Sequence, residues 1–325
     1  MPNRLPAEWE PHEKLWIGFP HDATEWPGQL EAAQREVAGF ANAVAASGEA
    51  VSLICRNASN LALAQSLVDP VVQCSPAEYG DIWLRDTGPL VTRAPDGSRR
   101  AQIFRFNGWG GKYRIAGDET IGVDLAKDAG LPTNHHGWIL EGGAIDVDGR
   151  GLGVTTEQCL LNPNRNPQMR REDIEDALRA ALGIERLLWL GDGLINDHTD
   201  GHVDNLARFV APGVLAVPEA SGGDDPNADI YADAADRAAA FGLETIRLPS
   251  PGRVESEGIV QPASHMNFVV GNRAVFVPVY GTPYDQAIVD ALQAIWPDKS
   301  ILPLPASAIL SGGGSLHCAS QPLFA

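Results

Sequence analysis

The sequence has only four cysteines among 325 residues, and no two of them stand in a CxxC pair. The first residues, MPNRLPAEWEPHEKLW, contain no apolar stretch of the kind found in secretory signal peptides. Both absences argue against a secreted, disulfide-bonded protein and predict reduced thiols in the cytoplasm. Long apolar runs are also missing, because even FVVGNRAVFVPVY is interrupted by Asn272 and Arg273. No run approaches the roughly 18 to 20 residues of a membrane span, so we expect no membrane association.

Basic residues are scarce, since 24 lysines and arginines face 42 aspartates and glutamates and the formal net charge is −18. Such a chain repels nucleic acid and attracts small cations, so we expect no nucleic-acid partner. An acidic surface also serves solubility, and the charge alone does not identify a ligand. The hydrophobic content of 44% is sufficient for a large core. The length leaves one domain or two open.

A repeated order of predicted elements runs through the chain. Four times, two β-like runs around a turn are followed by a helix and a further strand, and the helices span 120–129, 171–182, 228–241 and 284–295. The N-terminal strand, helix and strand would form a fifth unit if ASQPLFA, after Cys318, supplied a missing strand. Units of about 60 residues that bury one face against the next are typical of rings and arrays.

This repeat predicts a single domain, residues 1–325, with an α/β fold in the form of a five-bladed ββαβ propeller. An ordinary α+β sheet with coincidentally similar segments is the alternative.

Reactive side chains stand just before the predicted hairpins. In chain order the residues at these five junctions are Asp86, Glu141, Asp204, Met266 and Cys318. Equivalent positions in a ring face one axis, so three carboxylates and a thiol should converge on one pocket. His202, two residues before Asp204, should lie on the same face of an extended segment. Each residue alone also suits a turn or cap, and only their matched positions predict a site.

The stretch GGGSLHC, residues 312–318, is predicted to be a nucleophile loop. Its consecutive glycines, Gly314 among them, let a substrate approach the backbone, and a neighbouring histidine can lower the pKa of the Cys318 thiol. A structural turn that ends in a buried cysteine is the alternative for this stretch alone. The other cysteines, Cys55, Cys74 and Cys159, do not stand at a junction and are expected to be dispensable for the chemistry.

Several carboxylates around one thiol indicate a cationic substrate. A thiol protease needs one orienting acid or amide and an oxyanion hole, rather than several acids. A guanidinium keeps its charge at neutral pH and offers five N–H donors in a fixed fork, so Asp86 and Asp204 could hold it while a thiolate attacks its carbon. The sequence therefore predicts a small cationic guanidine as the substrate.

Six stretches are distinctive in combination: LPAEWEPHEKLW, WLRDTGP, FNGWGGKY, LEGGAIDVDG, DHTDGHVDN and GGGSLHC. Together they resemble the agmatine deiminase family, which is close to the bacterial peptidylarginine deiminases, and the resemblance extends over nearly the whole chain. It implies the five-bladed α/β propeller of the guanidino-group modifying superfamily. It also implies that Cys318 is the nucleophile, that His202 is the general acid and base, that Asp86 and Asp204 bind the guanidinium, and that Glu141 supports His202.

The resemblance implies hydrolysis of agmatine to N-carbamoylputrescine and ammonia through an S-alkylthiouronium intermediate, without metal or cofactor. Trp83 and Trp109 could stack on the substrate, although both could also serve only the core. Asp197 or Asp200 could hold the distal ammonium of agmatine, because only Arg85 near the motifs could bind a substrate carboxylate. We therefore expect agmatine as the substrate, with arginine and peptidyl-arginine as alternatives.

Two further alternatives concern the type of protein. A metal-dependent hydrolase is one, because His198, His202 and Asp204 could bind zinc from one face of a helix, although Gly201 argues against a helix there. A non-enzymatic binding module is the other. Many relatives carry an acid at the position of His198, and this departure could bear on substrate choice. A second departure is His265, where relatives often have Tyr, and it too could bear on substrate choice rather than chemistry. The sequence does not fix the number of subunits, so a homo-oligomer is left open.

Overall fold

The structure is a computed structural model and describes residues 4–325. In this part of the chain the strands are β1 (His12–Gly18), β2 (Val51–Cys55), β3 (Gln73–Pro76), β4 (Leu90–Arg93), β5 (Arg99–Arg105), β6 (Thr133–Ile139), β7 (Asp146–Val147), β8 (Leu152–Thr156), β9 (Arg186–Leu190), β10 (Arg208–Ala211), β11 (Val214–Glu219), β12 (Glu244–Pro249), β13 (Glu255–Ser256), β14 (Ile259–Val260), β15 (Val269–Val270), β16 (Ala274–Val279), β17 (Ser300–Pro305) and β18 (Ser320–Phe324). The α-helices are α1 (Leu30–Ala46), α2 (Ala58–Leu67), α3 (Leu84–Thr87), α4 (Gly108–Gly111), α5 (Ile121–Asp128), α6 (Glu157–Leu160), α7 (Arg171–Leu182), α8 (Ala228–Phe241), α9 (Asp285–Ile295) and α10 (Ser307–Leu310).

The helices form where the sequence predicts them, and α7 illustrates the reasons. Its first turn carries Glu172 and Asp173, which the positive end of the helix dipole stabilises. Ile174 and Leu178, four residues apart, are buried on one face against the core. The helix ends at Gly183, whose φ of 71° is a left-handed conformation that glycine adopts at little cost.

Four sheets repeat one topology. In each of them an antiparallel pair of strands is followed by a helix and by a third strand that runs parallel to the second. A helix that connects parallel neighbours is the usual crossover between such strands. The predicted ββαβ units are therefore present, and the strand orders are β4-β5-β6, β7-β8-β9, β10-β11-β12 and β15-β16-β17.

The fifth sheet is built from both ends of the described chain. Strand β18, which follows Cys318, pairs antiparallel with β1, and Trp16 lies opposite Gln321. β1 and β2 are parallel, as are β2 and β3. The prediction that the segment after Cys318 supplies the missing strand is confirmed. The fold is α/β, and the alternative of an ordinary α+β sheet does not describe it.

Short irregular segments before the hairpins carry the reactive residues. Asp86 lies in α3 before β4, and Glu141 precedes the 3₁₀ turn Gly142–Ala144 that leads to β7. Asp204 lies in a second 3₁₀ turn, Val203–Asn205, before β10. None of the helices in the described part of the chain combines the length and the apolar character that crossing a bilayer requires.

Candidate active site

A cavity of about 190 Å³ lies among these junction segments. It is smaller than the roughly 300 to 1,000 Å³ of pockets that bind drug-sized ligands, so it suits a small substrate. Five of the predicted site residues line it: Trp83, Asp86, Trp109, Gly314 and Cys318.

The Cys318 thiol lies on the cavity wall and is 5% exposed. The Asn267 side-chain amide donates to its sulfur at 3.1 Å, and Asp204 Oδ2 lies 3.5 Å from the same atom. Burial raises the pKa of the thiol well above its usual value, and the carboxylates of Asp204 and Asp86 raise it further. The neighbouring His317 makes no hydrogen bond to the sulfur, because both of its ring nitrogens contact carboxylates. The expected lowering of the thiol pKa is not found, since burial and the two carboxylates raise it.

The Asp86 carboxylate is held by two neutral donors. The indole N–H of Trp109 donates to Oδ2 at 2.8 Å, and the backbone N–H of Gly143 donates to Oδ1 at 2.9 Å. Burial raises the pKa of Asp86, and although the nearby His202 opposes this rise, the pKa remains above its usual value. The charged His202 ring lies 3.6 Å from Oδ1, beyond hydrogen-bond distance, so Asp86 has no hydrogen-bonded cation, which a bound guanidinium would supply.

Asp204 has one satisfied oxygen and one that is free. His317 Nδ1 lies 2.7 Å from Oδ2, whereas the buried Oδ1 has no hydrogen-bond partner. Burial acts to raise the pKa of Asp204, but the positive charges of His317, His202 and Arg208 outweigh burial and hold the pKa below its usual value. Asp204 is thus an ionised acceptor at neutral pH.

Gly143 allows these groups to come close to one another. A Cβ atom at this position would lie 2.7 Å from His202 Nδ1, 2.9 Å from Asp86 Oδ1 and 3.1 Å from Asp204 Oδ2. Any residue larger than glycine would therefore push the three side chains apart.

Glu141, Cys159 and His202 form a buried set that we call the Glu141 group. One potential ligand atom of each lies within 4.8 Å of the others. Glu141 Oε1 accepts from Arg165 Nε at 2.6 Å, while its Oε2 and both ring nitrogens of His202 have no hydrogen-bond partner. Burial acts to lower the pKa of His202, but Asp86 in particular, 3.6 Å away, raises it well above the usual value. His202 is therefore an imidazolium at neutral pH and can act as an acid.

Cys159 and Arg165 in this region were not predicted as site residues. Arg165 lies in the stretch LLNPNRNP, and nothing in this stretch indicates that its arginine pairs with a distant buried glutamate. The sequence position of Cys159 suggested that it lies away from the candidate site. In the structure its thiol belongs to the Glu141 group.

The Glu141 group is also the only set of three potential metal ligands in residues 4–325. It differs from the zinc site considered from the sequence, since His198 is exposed beside Tyr113 and is not part of it. The structure does not bring His198, His202 and Asp204 together as a ligand set.

The two acids proposed for the distal ammonium lie elsewhere. Asp200 forms ion pairs at 2.6 Å with both Lys112 and Arg165, and Asp197 accepts from the backbone and hydroxyl of Thr199. Neither lines the cavity. Because cationic and hydroxyl partners already occupy these carboxylates, the structure corrects this prediction for both residues.

Two other acids, Asp81 and Glu25, line the cavity and were missed. Asp81 is 4% exposed and accepts from the backbone of Ile82 at 2.7 Å. Burial raises the pKa of Asp81 well above its usual value, and burial together with Asp22 raises that of Glu25. Both carboxylates would gain from a cation in the cavity.

Trp83, on the cavity wall, packs closely against Gly314 of the 312–318 loop. A Cβ at Gly314 would lie 2.6 Å from the ring of Trp83, so only glycine lets the loop cross this indole. Trp109 has a φ of 50°, a left-handed conformation that is strained for a residue with a side chain. Its hydrogen bond to Asp86 helps to hold it there.

Comparisons with known proteins show which chains and structures this one is similar to. The model of the Porphyromonas-type peptidyl-arginine deiminase family matches residues 4–323. The chain is 34% identical over 352 residues to the agmatine deiminase of Stutzerimonas stutzeri, with 98% of this chain and 94% of that protein covered. Its structure is similar to that of the agmatine deiminase of Enterococcus faecalis, with a TM-score of 0.93, 29% identity and coverage of 98% and 95%. A C. jejuni agmatine deiminase with substrate bound and with serine in place of a cysteine gives a TM-score of 0.92 at 30% identity and coverage of 100% and 97%.

Proposed function

Because the chain belongs to the Porphyromonas-type peptidyl-arginine deiminase family, we propose that it is an agmatine deiminase, which hydrolyses agmatine to N-carbamoylputrescine and ammonia. The observation that carries this proposal is the pair of buried carboxylates, Asp86 and Asp204, beside a thiol in a small cavity. Two carboxylates suit the forked donors of a guanidinium and hold its carbon in place for attack.

Binding of the guanidinium activates the nucleophile. Burial and the charges of Asp204 and Asp86 raise the pKa of the Cys318 thiol, and a cation between the two carboxylates lowers it again, so the thiol releases its proton to water. The thiolate then adds to the guanidinium carbon and forms the C–S bond. His202 gives its proton to one amino nitrogen, the C–N bond breaks and ammonia leaves. The product of this step is a positively charged S-alkylthiouronium on Cys318.

The second half of the reaction uses the same histidine in the opposite direction. His202, now neutral, takes a proton from a water molecule as the water adds to the thiouronium carbon. The tetrahedral adduct collapses, the C–S bond breaks, and the hydroxyl proton of the adduct passes to the departing thiolate as the carbonyl of N-carbamoylputrescine forms. Glu141, tied to Arg165 at 2.6 Å, keeps a negative charge beside the imidazolium and so favours its formation.

The acidic lining of the cavity supports agmatine over arginine. We assign the distal ammonium to Asp81 and Glu25 rather than to Asp197 or Asp200, because only the first two line the cavity. Arginine would bring its α-carboxylate toward these acids, and the lost charge pairing together with the repulsion should cost nearly 3 kcal/mol, or about a hundredfold.

The test is ammonia release from agmatine, free arginine and a peptidyl arginine, each with and without EDTA. We expect kcat/KM for agmatine to exceed that for arginine by at least about a hundredfold. EDTA should leave the activity unchanged, which separates this chemistry from that of a metal-dependent hydrolase. Comparable rates on agmatine and arginine would overturn the assignment of agmatine and leave guanidine hydrolysis standing.

We further propose that the five ββαβ units close into one five-bladed, pentein-type ring that forms a single domain over residues 1–325. The pairing of β18 with β1 supports closure, and the residues from several units that meet at one cavity support a common axis. A single cooperative unfolding transition in calorimetry is expected, whereas two separate transitions would contradict one domain.

A further inference from the structure

The carboxylate of Asp204 is linked through one histidine to the N-terminal part of the chain. His317 Nδ1 lies 2.7 Å from Asp204 Oδ2, and His317 Nε2 lies 2.7 Å from Glu8 Oε2. All three side chains are buried. The oxygen of an ionised carboxylate only accepts hydrogen bonds, so both ring nitrogens donate and His317 is an imidazolium.

The surroundings of Glu8 support this protonation. Arg208 Nη2 lies 2.9 Å and Arg85 Nη2 3.1 Å from Glu8 Oε2, and Arg208 Nε also binds Asp146 at 3.0 Å. Buried charges are costly unless they are paired. A charged His317 makes the cations as numerous as the anions in this set, which we call the charged cluster: Glu8, Asp146, Asp204, Arg85, Arg208 and His317.

We propose that His317 is a positioning residue for the deiminase reaction, which holds Asp204 ionised and turned so that its free oxygen is available to the substrate guanidinium. The inference rests on the proposed function, because the guanidinium is the donor that would meet this oxygen. Asp204 Oδ2 is occupied by His317, whereas the buried Oδ1 has no partner. Arg85 also fixes the backbone of the loop, since its Nε donates to the carbonyl of His317 at 3.3 Å.

The expected pH effect follows from the charges that face Asp204. Positive charge on His317, His202 and Arg208 lowers the pKa of Asp204 against the effect of burial, while Asp86 and the Cys318 thiol lie nearby. Removal of the His317 charge should therefore raise the pKa of Asp204. Since the ionised form binds the guanidinium, the acidic limb of kcat/KM should move to higher pH.

The experiment compares His317→Gln with His265→Gln in the full chain. The ring of His265 is equally buried and lies between Asp285, at 3.1 Å, and the carbonyl of Pro249, at 3.0 Å. We expect His317→Gln to lower kcat/KM for agmatine at least about tenfold at pH 6, mainly through KM, and to recover most of this loss by pH 8.5. His265→Gln should keep the acidic limb of the wild-type profile.

Glu8→Gln provides a second test that leaves the imidazole in place. It removes one anion from the charged cluster and should weaken the hold on His317, with a smaller change of the acidic limb in the same direction. If His317→Gln does not fold, the Glu8→Gln profile decides the question. An unchanged acidic limb and KM, or a loss that is equal at every pH, would overturn the inference. Wild-type enzyme without activity on agmatine would instead overturn the proposed function.

Discussion

The charged cluster and the Glu141 group are both buried, but their histidines differ in hydrogen bonding. Each ring nitrogen of His317 has a carboxylate oxygen at 2.7 Å, whereas neither ring nitrogen of His202 has a hydrogen-bond partner. A fully bonded histidine is fixed in protonation and orientation, and one without partners remains able to exchange a proton with a substrate. From this difference we expect that the charged cluster holds charge in place and that the Glu141 group moves protons.

Cys318 is the proposed nucleophile, so its removal should have the largest effect. Cys318→Ala removes the nucleophile, and we expect turnover of agmatine to fall at least about 10⁴-fold, as measured by ammonia release. Cys55→Ala, at a buried cysteine in β2, is the matched control and should retain the chemistry. Normal turnover by Cys318→Ala would show that Cys318 is not the nucleophile.

The proton-moving role is tested by His202→Gln. General acid–base catalysis contributes roughly 10²- to 10⁴-fold, so kcat should fall by this amount while KM changes little. The pKa of His202 is raised well above its usual value, so the donor form is present at neutral pH and is lost as the pH rises through that raised value. The alkaline limb of kcat for ammonia release should therefore be present in the wild type and absent from His202→Gln. The same limb in both proteins would assign the proton transfer to another group.

Asp86 has neutral donors, unlike Asp204, and is expected to affect substrate binding most directly. Asp86→Ala leaves one side of the guanidinium unpaired, at a cost of about 1 to 3 kcal/mol, or roughly 5- to 150-fold in kcat/KM. Titration of the Cys318→Ser protein with agmatine, with and without the Asp86→Ala change, measures this loss as Kd. Equal affinity in both proteins would show that two carboxylates are not required.

The same carboxylate raises the pKa of the nucleophile, and alkylation of Cys318 by iodoacetamide can detect this. In the wild type the rate should continue to rise beyond about pH 8.5, the ordinary value for a thiol, because burial and both carboxylates favour the protonated form. Asp86→Asn should begin this rise at lower pH and react up to about tenfold faster at pH 8. Mass spectrometry of the Cys318 peptide follows the reaction, and identical profiles would contradict the proposed charge coupling.

The smallest expected effect concerns Cys159, whose thiol lies in the Glu141 group. Cys159→Ser should lower kcat about two- to fivefold. A smaller and more strongly hydrogen-bonding group beside His202 should raise the activation free energy by about 0.5 to 1 kcal/mol. Cys55→Ser, at another fully buried thiol, should change kcat less. Equal kcat values for the two serine variants would restore the expectation, drawn from the sequence, that Cys159 is dispensable.

The repeated units were predictable because hairpins and crossover helices have local patterns. The same repeat pointed to Asp86, Glu141, Asp204 and Cys318, since equivalent junctions lie in equivalent places. The prediction that Asp197 or Asp200 holds the distal ammonium was wrong for the opposite reason. Proximity to His202 in sequence suggested Asp200, but Lys112 and Arg165 are its partners in space.

Partners of buried charges leave no such pattern. Glu8 lies 309 residues before His317, and no periodicity in the chain connects them. Asn267, which holds the Cys318 sulfur, stands one position after the Met266 junction that the repeat identified. These contacts depend on how the sheets pack against one another, which a single sequence does not specify.

The distance in sequence between Glu8 and His317 has a consequence during protein synthesis. At roughly 5 to 20 residues per second, the ribosome needs about 15 to 60 s to proceed from one to the other. Throughout that time Glu8 lacks the His317 imidazolium that helps to pair its charge, so its burial should wait for the last part of the chain. A nascent chain that ends before His317 would therefore be expected to keep its first strands accessible to chaperones and proteases, and catalytic activity would appear only when the loop that carries Cys318 has emerged.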